Sequence, residues 1–171
     1  MDLHGSVGPA RTTISAVADR AGVQRATVYR HFPDEFALFG ACSAHWAQLH
    51  PPPDISSWAG IADPDARLRT ALRDLYAWYG SDEQMFVNLF RDAELVEAMR
   101  PPFEAMRAAF EGLVAEVLRG RPERGRARKR VAAAIGHAVS FHTWHALTRE
   151  GGLTDGEAVN VAAGMVAAAS D

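Results

Sequence analysis

Cysteine is nearly absent from this sequence, and charge of one sign is not in excess. The single cysteine, Cys42, cannot form an internal disulfide, which is typical of a reducing compartment. The net charge of -3 does not indicate a generally basic nucleic-acid binder, although a local basic surface would be sufficient for DNA. No apolar run approaches the roughly 20 residues that cross a bilayer, and the first eight residues lack a signal-peptide pattern. We therefore expect a cytoplasmic globular protein without a membrane partner.

The chain also lacks the alternation of apolar and polar residues that is typical of β-strands. Alanine-rich segments with helical spacing cover most of it and predict an all-α fold. The run from Pro51 to Pro53 interrupts this pattern, because proline has no N–H to donate and restricts the residue before it. We place a domain boundary there, with one helical domain over residues 1–49 and a second over residues 50–171.

Turn residues and apolar spacing predict the helices of the second domain. Pro64 opens one helix, and Thr154 precedes the last one, which has acidic residues in its first turn. Before the last helix we expect a single long helix over about residues 126–148. The buried face of the helix that starts at Pro64 is predicted to contain Leu68, Leu72, Leu75, Tyr76 and Tyr79.

The stretch from residue 13 to residue 38 predicts two short helices joined by a tight turn. Gly22 can adopt the left-handed conformation that ends a helix, and we expect Val23 to pack back into the core. The second helix is predicted from about Gln24 to His31. Such a pair of helices forms a helix-turn-helix. The inward-facing residues of the two helices are predicted to be Ile14, Val17, Ala18, Ala21, Val28 and Phe32.

The outward side of the second helix is rich in hydrogen-bond donors and has no acidic residue, which suits phosphates and base edges. This stretch resembles the TetR family of bacterial transcriptional regulators through Ala21-Gly22-Val23 and Tyr29-Arg30-His31-Phe32-Pro33. The resemblance implies a DNA-binding domain in which Gln24 and Arg25 reach base edges. It also implies that Thr27, Tyr29 and His31 contact phosphates, and we include Thr13 among the predicted DNA contacts. The alternative is an ordinary α-hairpin with exposed polar residues.

Three features depart from the family pattern. Glu35 stands where family members usually have a lysine, and Gln24 is a poor cap for the second helix. Residues 1–7 leave little room for the full first helix of the family, and Gly5 and Gly8 oppose a long one. The charges of the four arginines and the four acidic residues within residues 1–46 also cancel. We therefore expect weak DNA binding by the chain as it stands, strengthened by upstream residues.

The region from Phe141 to Val161 is similar to the two-helix dimerisation unit of several TetR subgroups, with Trp144, Leu147 and the segment from Gly151 to Val159 carrying the likeness. Alanines along the last helices allow close packing. The resemblance implies a homodimer with a four-helix interface and a palindromic double-stranded DNA operator. The alternative is a helix pair inside a monomer.

Aromatic and methionine side chains are concentrated in the middle of the chain, where they form either plain core or a pocket for an apolar or aromatic effector. No cofactor or metal is expected. His142 and His145 are close together on one helix, but the sequence identifies no further side chains that would complete a metal site. The seven basic residues between Arg119 and Arg130 indicate either a solvated connection or a second nucleic-acid surface. The predicted effector contacts are Trp78, Phe86, Phe90, Phe103, Met106, Phe110, His137 and Phe141.

Together these features predict a ligand-responsive transcriptional repressor and not an enzyme. The effector would favour a conformation in which two recognition helices are wrongly spaced for DNA. The alternative is a dimeric ligand-binding module whose DNA-reading half is impaired by its short N-terminal segment. No serine–histidine–aspartate arrangement or phosphate loop supports an enzyme.

Overall fold

The computed structural model describes residues Asp2–Ser170, which form helices and turns without a β-strand. The predicted all-α fold class is confirmed. Shorter helical turns lie at Pro9–Arg11, Ile55–Trp58, Glu97–Met99 and Ala146–Glu150. The α-helices of the described residues are α1 (Asp2–Ser6), α2 (Ile14–Ala21), α3 (Arg25–His31), α4 (Glu35–Leu49), α5 (Pro64–Ser81), α6 (Glu83–Asp92), α7 (Arg100–Val117), α8 (Gly125–Ala138), α9 (Phe141–His145) and α10 (Asp155–Ala168).

The chain divides into two compact units. The first unit contains the residues up to Pro51 together with Asp82–Met106, and the second contains Pro52–Ser81 together with the residues from Arg107 onward. Residues 82–106, which the sequence assigned to the C-terminal domain, therefore lie in the first unit. The proposed domain boundary at residue 50 stays a prediction. Among the described residues, no helix is both long and apolar enough to cross a bilayer.

Two small apolar clusters contribute to the core of the first unit. Ile14, Ala18 and Val28 join α2 to α3. Phe39 of α4 packs with Ala98 and Met99, so that α4 lies against the short turn that precedes α7. Burying these side chains away from water stabilises the unit and leaves the polar side of α3 outside.

The second unit is built around α5. Its predicted buried face is confirmed, since Leu68, Leu72, Leu75, Tyr76 and Tyr79 are each at most 2% exposed. Two tryptophans are also buried in this unit, and their indole N–H groups donate hydrogen bonds to carboxylates. Trp58 donates to Asp74 over 2.7 Å, and Trp144 donates to Asp155 over 2.9 Å. These bonds allow large polar-tipped side chains to be buried without an unsatisfied donor.

The prediction of one long helix over residues 126–148 is wrong. Helix α8 ends at Ala138, and a new helix, α9, starts at Phe141. Ser140 causes the break because its side chain accepts the backbone N–H of Thr143 and so caps α9. As a result His137 lies on α8, whereas His142 and His145 lie on α9.

Buried hydroxyl groups satisfy the carbonyls at this break. Tyr76 donates to the carbonyl oxygen of Ala138 over 2.8 Å, and Tyr79 donates to that of Val139 over 2.7 Å. Periodicity in the sequence continues across residues 139 and 140, so it does not reveal where a capping side chain and two tyrosines interrupt the helix. The break is therefore a consequence of tertiary packing on α5.

The last helix begins as predicted. Thr154 accepts the backbone N–H of Glu157, and the Glu157 carboxylate accepts the backbone N–H of Thr154, which together form a capping box. Hydrogen bonds from the Thr154 side chain and backbone lower the pKa of the Glu157 carboxyl. The negative charge is also favourable at a helix N-terminus.

Candidate nucleic-acid interface

The turn between α2 and α3 has the geometry of a helix-turn-helix. Thr13 caps α2 by accepting the backbone N–H of Ala16 at 3.1 Å. Gly22 ends α2 with φ of 65°, the left-handed conformation that glycine adopts without strain. The backbone N–H of Val23 then donates to the carbonyl of Ala18 at 3.0 Å and closes the turn. Both the predicted turn residue and the predicted helices are confirmed.

The inward side of the motif differs from the expectation at the turn itself. Val23 is 40% exposed, so the prediction that it packs into the core is wrong. Ala21 is also exposed, although it was assigned to the apolar stripe. The Val23 backbone, and not its side chain, closes the turn, and Ala21 is the last residue of α2, with its side chain exposed. The stripe is therefore confined to Ile14 and Ala18, with Val17 half-buried beside them.

Helix α3 is anchored by its apolar side and exposes its polar side. Val28 is 5% exposed and packs on α2, with Phe32 half-buried against the same cluster. The side chain of Gln24, at the N-cap position, makes no capping hydrogen bond, as predicted. Helix α3 is therefore anchored by one row of side chains, while its other faces are open to a partner.

The predicted DNA contacts lie on or beside these open faces. Tyr29 is 46% exposed, Thr27 is half-buried, and Gln24, Arg25 and His31 are exposed. In the described part of the chain, neither Arg25 nor Arg30 forms an ion pair with a carboxylate. Free guanidinium groups on an exposed helix are suited to phosphates and to guanine edges.

Three of the predicted residues line one depression in the first unit. Thr13, Arg25 and Tyr29 border a cavity of about 470 Å³, whereas Gln24, Thr27 and His31 do not. The depression also includes His4 from α1, whose ring lies 5.2 Å from that of Phe39 between centroids. Burial lowers the pKa of the His4 imidazole to about 4, so this wall of the depression is neutral at pH 7.

A polar cluster on α6 holds the segment that leads into α2. The amide of Asn88 donates to the carbonyls of His4 and Gly5 at 3.0 and 2.7 Å. Asp92 accepts the backbone N–H of Ala10 at 3.0 Å, and it is 2% exposed. Sequence reasoning missed this cluster, although Asn88 and Asp92, four positions apart and therefore on one face of α6, were a signal for it.

Gly8 lies against this cluster and adopts φ of 92°. A Cβ atom at this position would collide with the guanidinium of Arg91 and the carboxylate of Asp92. From the sequence, Gly8 is expected only to oppose a long first helix. The structure adds that glycine lets the backbone approach the cluster closely.

Four of the predicted effector contacts lie in the first unit as ordinary packing partners. Phe86 is 2% exposed and meets the ring of Trp46 edge-on at 5.4 Å. Phe90 meets Phe103 edge-on at 5.7 Å, and Met106 is half-buried. These positions are compatible with core packing, and their role as effector contacts stays a prediction.

The other four predicted effector contacts lie in the second unit, and they differ in how exposed they are. Phe141 is 4% exposed and meets Tyr79 edge-on at 5.5 Å, while Trp78 is half-buried. His137 is exposed on α8. Phe110 lines a mainly apolar cavity of about 320 Å³, whose other walls are Arg107, Glu111, Val114, Gly136 and Val139. Within Asp2–Ser170, no group of three His, Cys, Asp or Glu side chains is arranged to hold a metal ion.

Comparison with known proteins agrees with this geometry. A family model described as bacterial regulatory proteins of the tetR family matches residues 1–42, the segment that contains α1, α2 and α3. The N-terminal segment of this chain therefore matches the TetR family. The match covers the segment whose turn, anchored α3 and exposed donors are described above.

Two mycobacterial regulators are similar in sequence to this chain. It is 37% identical over 112 residues to an HTH-type transcriptional repressor of Mycobacterium tuberculosis and, to the same extent, to an HTH-type transcriptional regulator of Mycobacterium bovis. The match covers 61% of this chain and 56% of each relative. The chain thus spans about half the length of these relatives in the match. No solved structure shows a significant similarity to it.

Proposed function

We propose that this chain is a DNA-binding transcriptional regulator that reads double-stranded DNA with α3. The observation that carries the proposal is the exposed and unpaired guanidinium of Arg25 beside exposed Tyr29, on a helix that Val28 anchors to α2. Regulation of transcription is also what the names of the mycobacterial relatives state for those proteins.

The chemistry of the α3 side chains supports this function. Arg25 and Arg30 can donate bidentate hydrogen bonds to phosphates or to guanine, and Gln24 can pair with adenine. Tyr29 and His31 can donate to phosphate oxygens, which fix the register of a protein on the duplex. The hydroxyl oxygen of Thr13 is already used as a helix cap, but its hydrogen is free to meet a phosphate.

A homodimer is part of the proposal, because two copies of α3 would then read a palindromic operator. Helices α8 and α10 contact each other in the second unit. On α10, Val161 and Met165 are each 42% exposed and one helical turn apart, which leaves an apolar strip open. A second copy of the same strip would cover it in a two-fold interface.

A small apolar or aromatic effector completes the proposed mechanism. The cavity beside Phe110 in the second unit has the size of a small-molecule site, and Val114 and Val139 supply apolar walls. An effector that binds more tightly to a conformation unsuited to the operator would release the repressor from DNA. We also propose a cytoplasmic, non-enzymatic role.

The central test measures binding of the full chain to a duplex selected from a random-sequence library, by fluorescence anisotropy. We expect Arg25→Ala and Tyr29→Ala each to weaken binding by roughly 5- to 150-fold, the range of one lost base or phosphate contact. The matched control is Arg73→Ala, which removes the same charge from an exposed position of α5. Its affinity should change by less than about twofold, since general charge contributes little per residue at a distance.

Two outcomes would contradict this function. Unchanged binding by both α3 variants would show that α3 is not the reading helix. Failure of the unmodified chain to select any duplex, together with stabilisation by small aromatic compounds in a thermal-shift assay, would favour a ligand-binding module without operator binding.

A further inference from the structure

The segment that joins α7 to α8 encloses a small cavity with three arginines. The cavity measures about 330 Å³, and its walls are Gly120, Arg121, Pro122, Arg124 and Arg128. None of the acidic residues within Asp2–Ser170 lines it. The regulator proposed above makes no use of this segment, although it contains much of the basic run between residues 119 and 130.

The loop that carries these arginines is held in place at both ends. At its start, the buried guanidinium of Arg67 donates to the carbonyl of Arg119. At its end, one nitrogen of Arg124 donates to three loop carbonyls, those of Arg121, Pro122 and Glu123, at 3.0, 2.8 and 2.8 Å. A loop held in this way keeps its charged groups together before any ligand arrives, which lowers the entropic cost of binding.

Arg121 is the most buried member of the group. It is 5% exposed, and its Nη2 atom donates to Asp65 at 2.7 Å. Its Nε atom has no hydrogen-bond partner among the described residues. A buried guanidinium with an unused donor is costly, and an anion in the adjoining cavity could relieve that cost after a small side-chain adjustment.

The first turn of α8 supplies further donors. Arg124 occupies the N-cap position, and its side chain makes no capping hydrogen bond. The backbone N–H groups of the first turn therefore have no side-chain acceptor at the cap. Such groups, together with the helix dipole, attract anions.

Negative charge near the loop lies beside Arg121, whose guanidinium is 2.7 Å from the Asp65 carboxylate and 3.9 Å from that of Glu123. The Glu123 carboxyl has its pKa lowered by its own backbone N–H and by Ser170, against burial, with smaller effects of Arg121 and Arg128. It is therefore ionised at pH 7, but it lies outside the walls of the cavity. Arg124 and Arg128 form no ion pair with a carboxylate among residues Asp2–Ser170.

From these contacts we propose that the cavity formed by Gly120, Arg121, Pro122, Arg124 and Arg128 binds a small phosphate-bearing molecule. Guanidinium groups match phosphate oxygens in geometry and charge, and the volume suits a small ligand. A small molecule is favoured over DNA because the cavity is a compact cluster of donors at one helix end. The remaining exposed cation of the same turn, Arg126, is not part of its wall.

The test is a calorimetric titration of inorganic pyrophosphate into the full chain and its variants. We expect saturable binding by the unmodified chain at one site per chain. Arg128→Gln should weaken it by roughly tenfold or more, as expected for a lost charge-assisted hydrogen bond. Arg126→Gln removes an equal charge from the same helical turn outside the cavity and should retain binding within about twofold.

Arg128→Gln must keep the helical circular dichroism and melting temperature of the parent, which its half-buried position makes feasible. If it does not, Arg128→Lys provides a milder comparison, because it keeps the positive charge but loses the planar set of donors, and it should also weaken binding. The proposal is overturned if pyrophosphate shows no saturable binding, or if Arg126→Gln loses as much affinity as Arg128→Gln. It is also overturned if an operator-free duplex displaces pyrophosphate with an affinity that rises with duplex length, because the site would then belong to DNA.

Discussion

The carboxylate of Asp92 accepts the backbone N–H of Ala10 at 3.0 Å, across 82 positions of the chain. The same carboxylate receives two hydrogen bonds from Arg91, at 2.7 and 2.9 Å. Through these bonds α6 fixes the backbone that leads into α2, and α2 in turn carries α3. The position of the proposed reading helix therefore depends on a buried polar cluster outside the helix-turn-helix itself.

Replacing Asp92 by asparagine should destabilise the protein. The amide keeps one acceptor for Ala10 but loses the charged pair with Arg91, and a hydrogen bond to a charged group contributes roughly 1.5–3 kcal/mol. Urea unfolding at pH 7 measures the change. The control Glu94→Gln removes an exposed carboxylate of the same unit and should leave the free energy of unfolding unchanged; an equal loss in both variants would contradict the prediction.

The stabilising effect of Asp92 should also depend on pH. Its hydrogen bond with Arg91 lowers the pKa of the carboxyl, against the opposing effect of burial. A carboxyl with a lowered pKa contributes stability above its unfolded pKa of about 3.9 and loses it as the pH falls through the folded value. The difference between parent and Asp92→Asn should thus be constant above about pH 5 and shrink below about pH 4; a difference that grows on acidification would refute this.

Gly8→Ala should be destabilising by roughly 1–3 kcal/mol. The backbone there has φ of 92°, and the new methyl group would collide with Arg91 and Asp92. Gly40→Ala is the opposite case, because Gly40 lies inside α4 with open space around it. That variant should gain about 0.5–1 kcal/mol from helix propensity. Thermal unfolding of both variants should therefore show shifts of opposite sign.

Tyr79→Phe should cost roughly 1–3 kcal/mol, because its buried hydroxyl donates to the Val139 carbonyl at the break between α8 and α9. Burial raises the pKa of this phenol, so the hydroxyl stays a donor at neutral pH. The matched change Tyr29→Phe removes a hydroxyl from a 46% exposed side chain and should alter stability by less than about 0.5 kcal/mol. Equal effects in guanidinium unfolding would show that the break does not depend on Tyr79.

Met165→Lys should dissociate the proposed homodimer. In the proposed two-fold interface, the apolar strip of Val161 and Met165 faces the same strip of the second copy. The two new lysine charges would therefore be desolvated and would repel each other. Sedimentation should give twice the chain mass of 18.6 kDa for the parent and a single mass for the variant. Ala77→Lys, an exposed change on α5, should leave the dimer intact. A parent that sediments as a monomer at all concentrations would refute the dimer.

The sequence by itself determined the local features of this protein. Gly22 marks the turn, because only glycine adopts the left-handed backbone freely, and Thr154 with Glu157 marks the start of α10 through a capping box. The buried face of α5 followed from helical spacing, since apolar residues three and four apart share one side of a helix. These features depend on residues close together in the chain, which is why they could be predicted.

Tertiary structure decided what depends on distant residues. Val23 closes the turn with its backbone and leaves its side chain in solvent, while Ser140 and two tyrosines of α5 end α8 where periodicity continues. The hydrogen bond from the Ala10 backbone N–H to the Asp92 carboxylate joins residues that no local sequence pattern connects. Long-range hydrogen bonds of buried polar groups leave no periodic trace in a sequence, so only the folded chain reveals them.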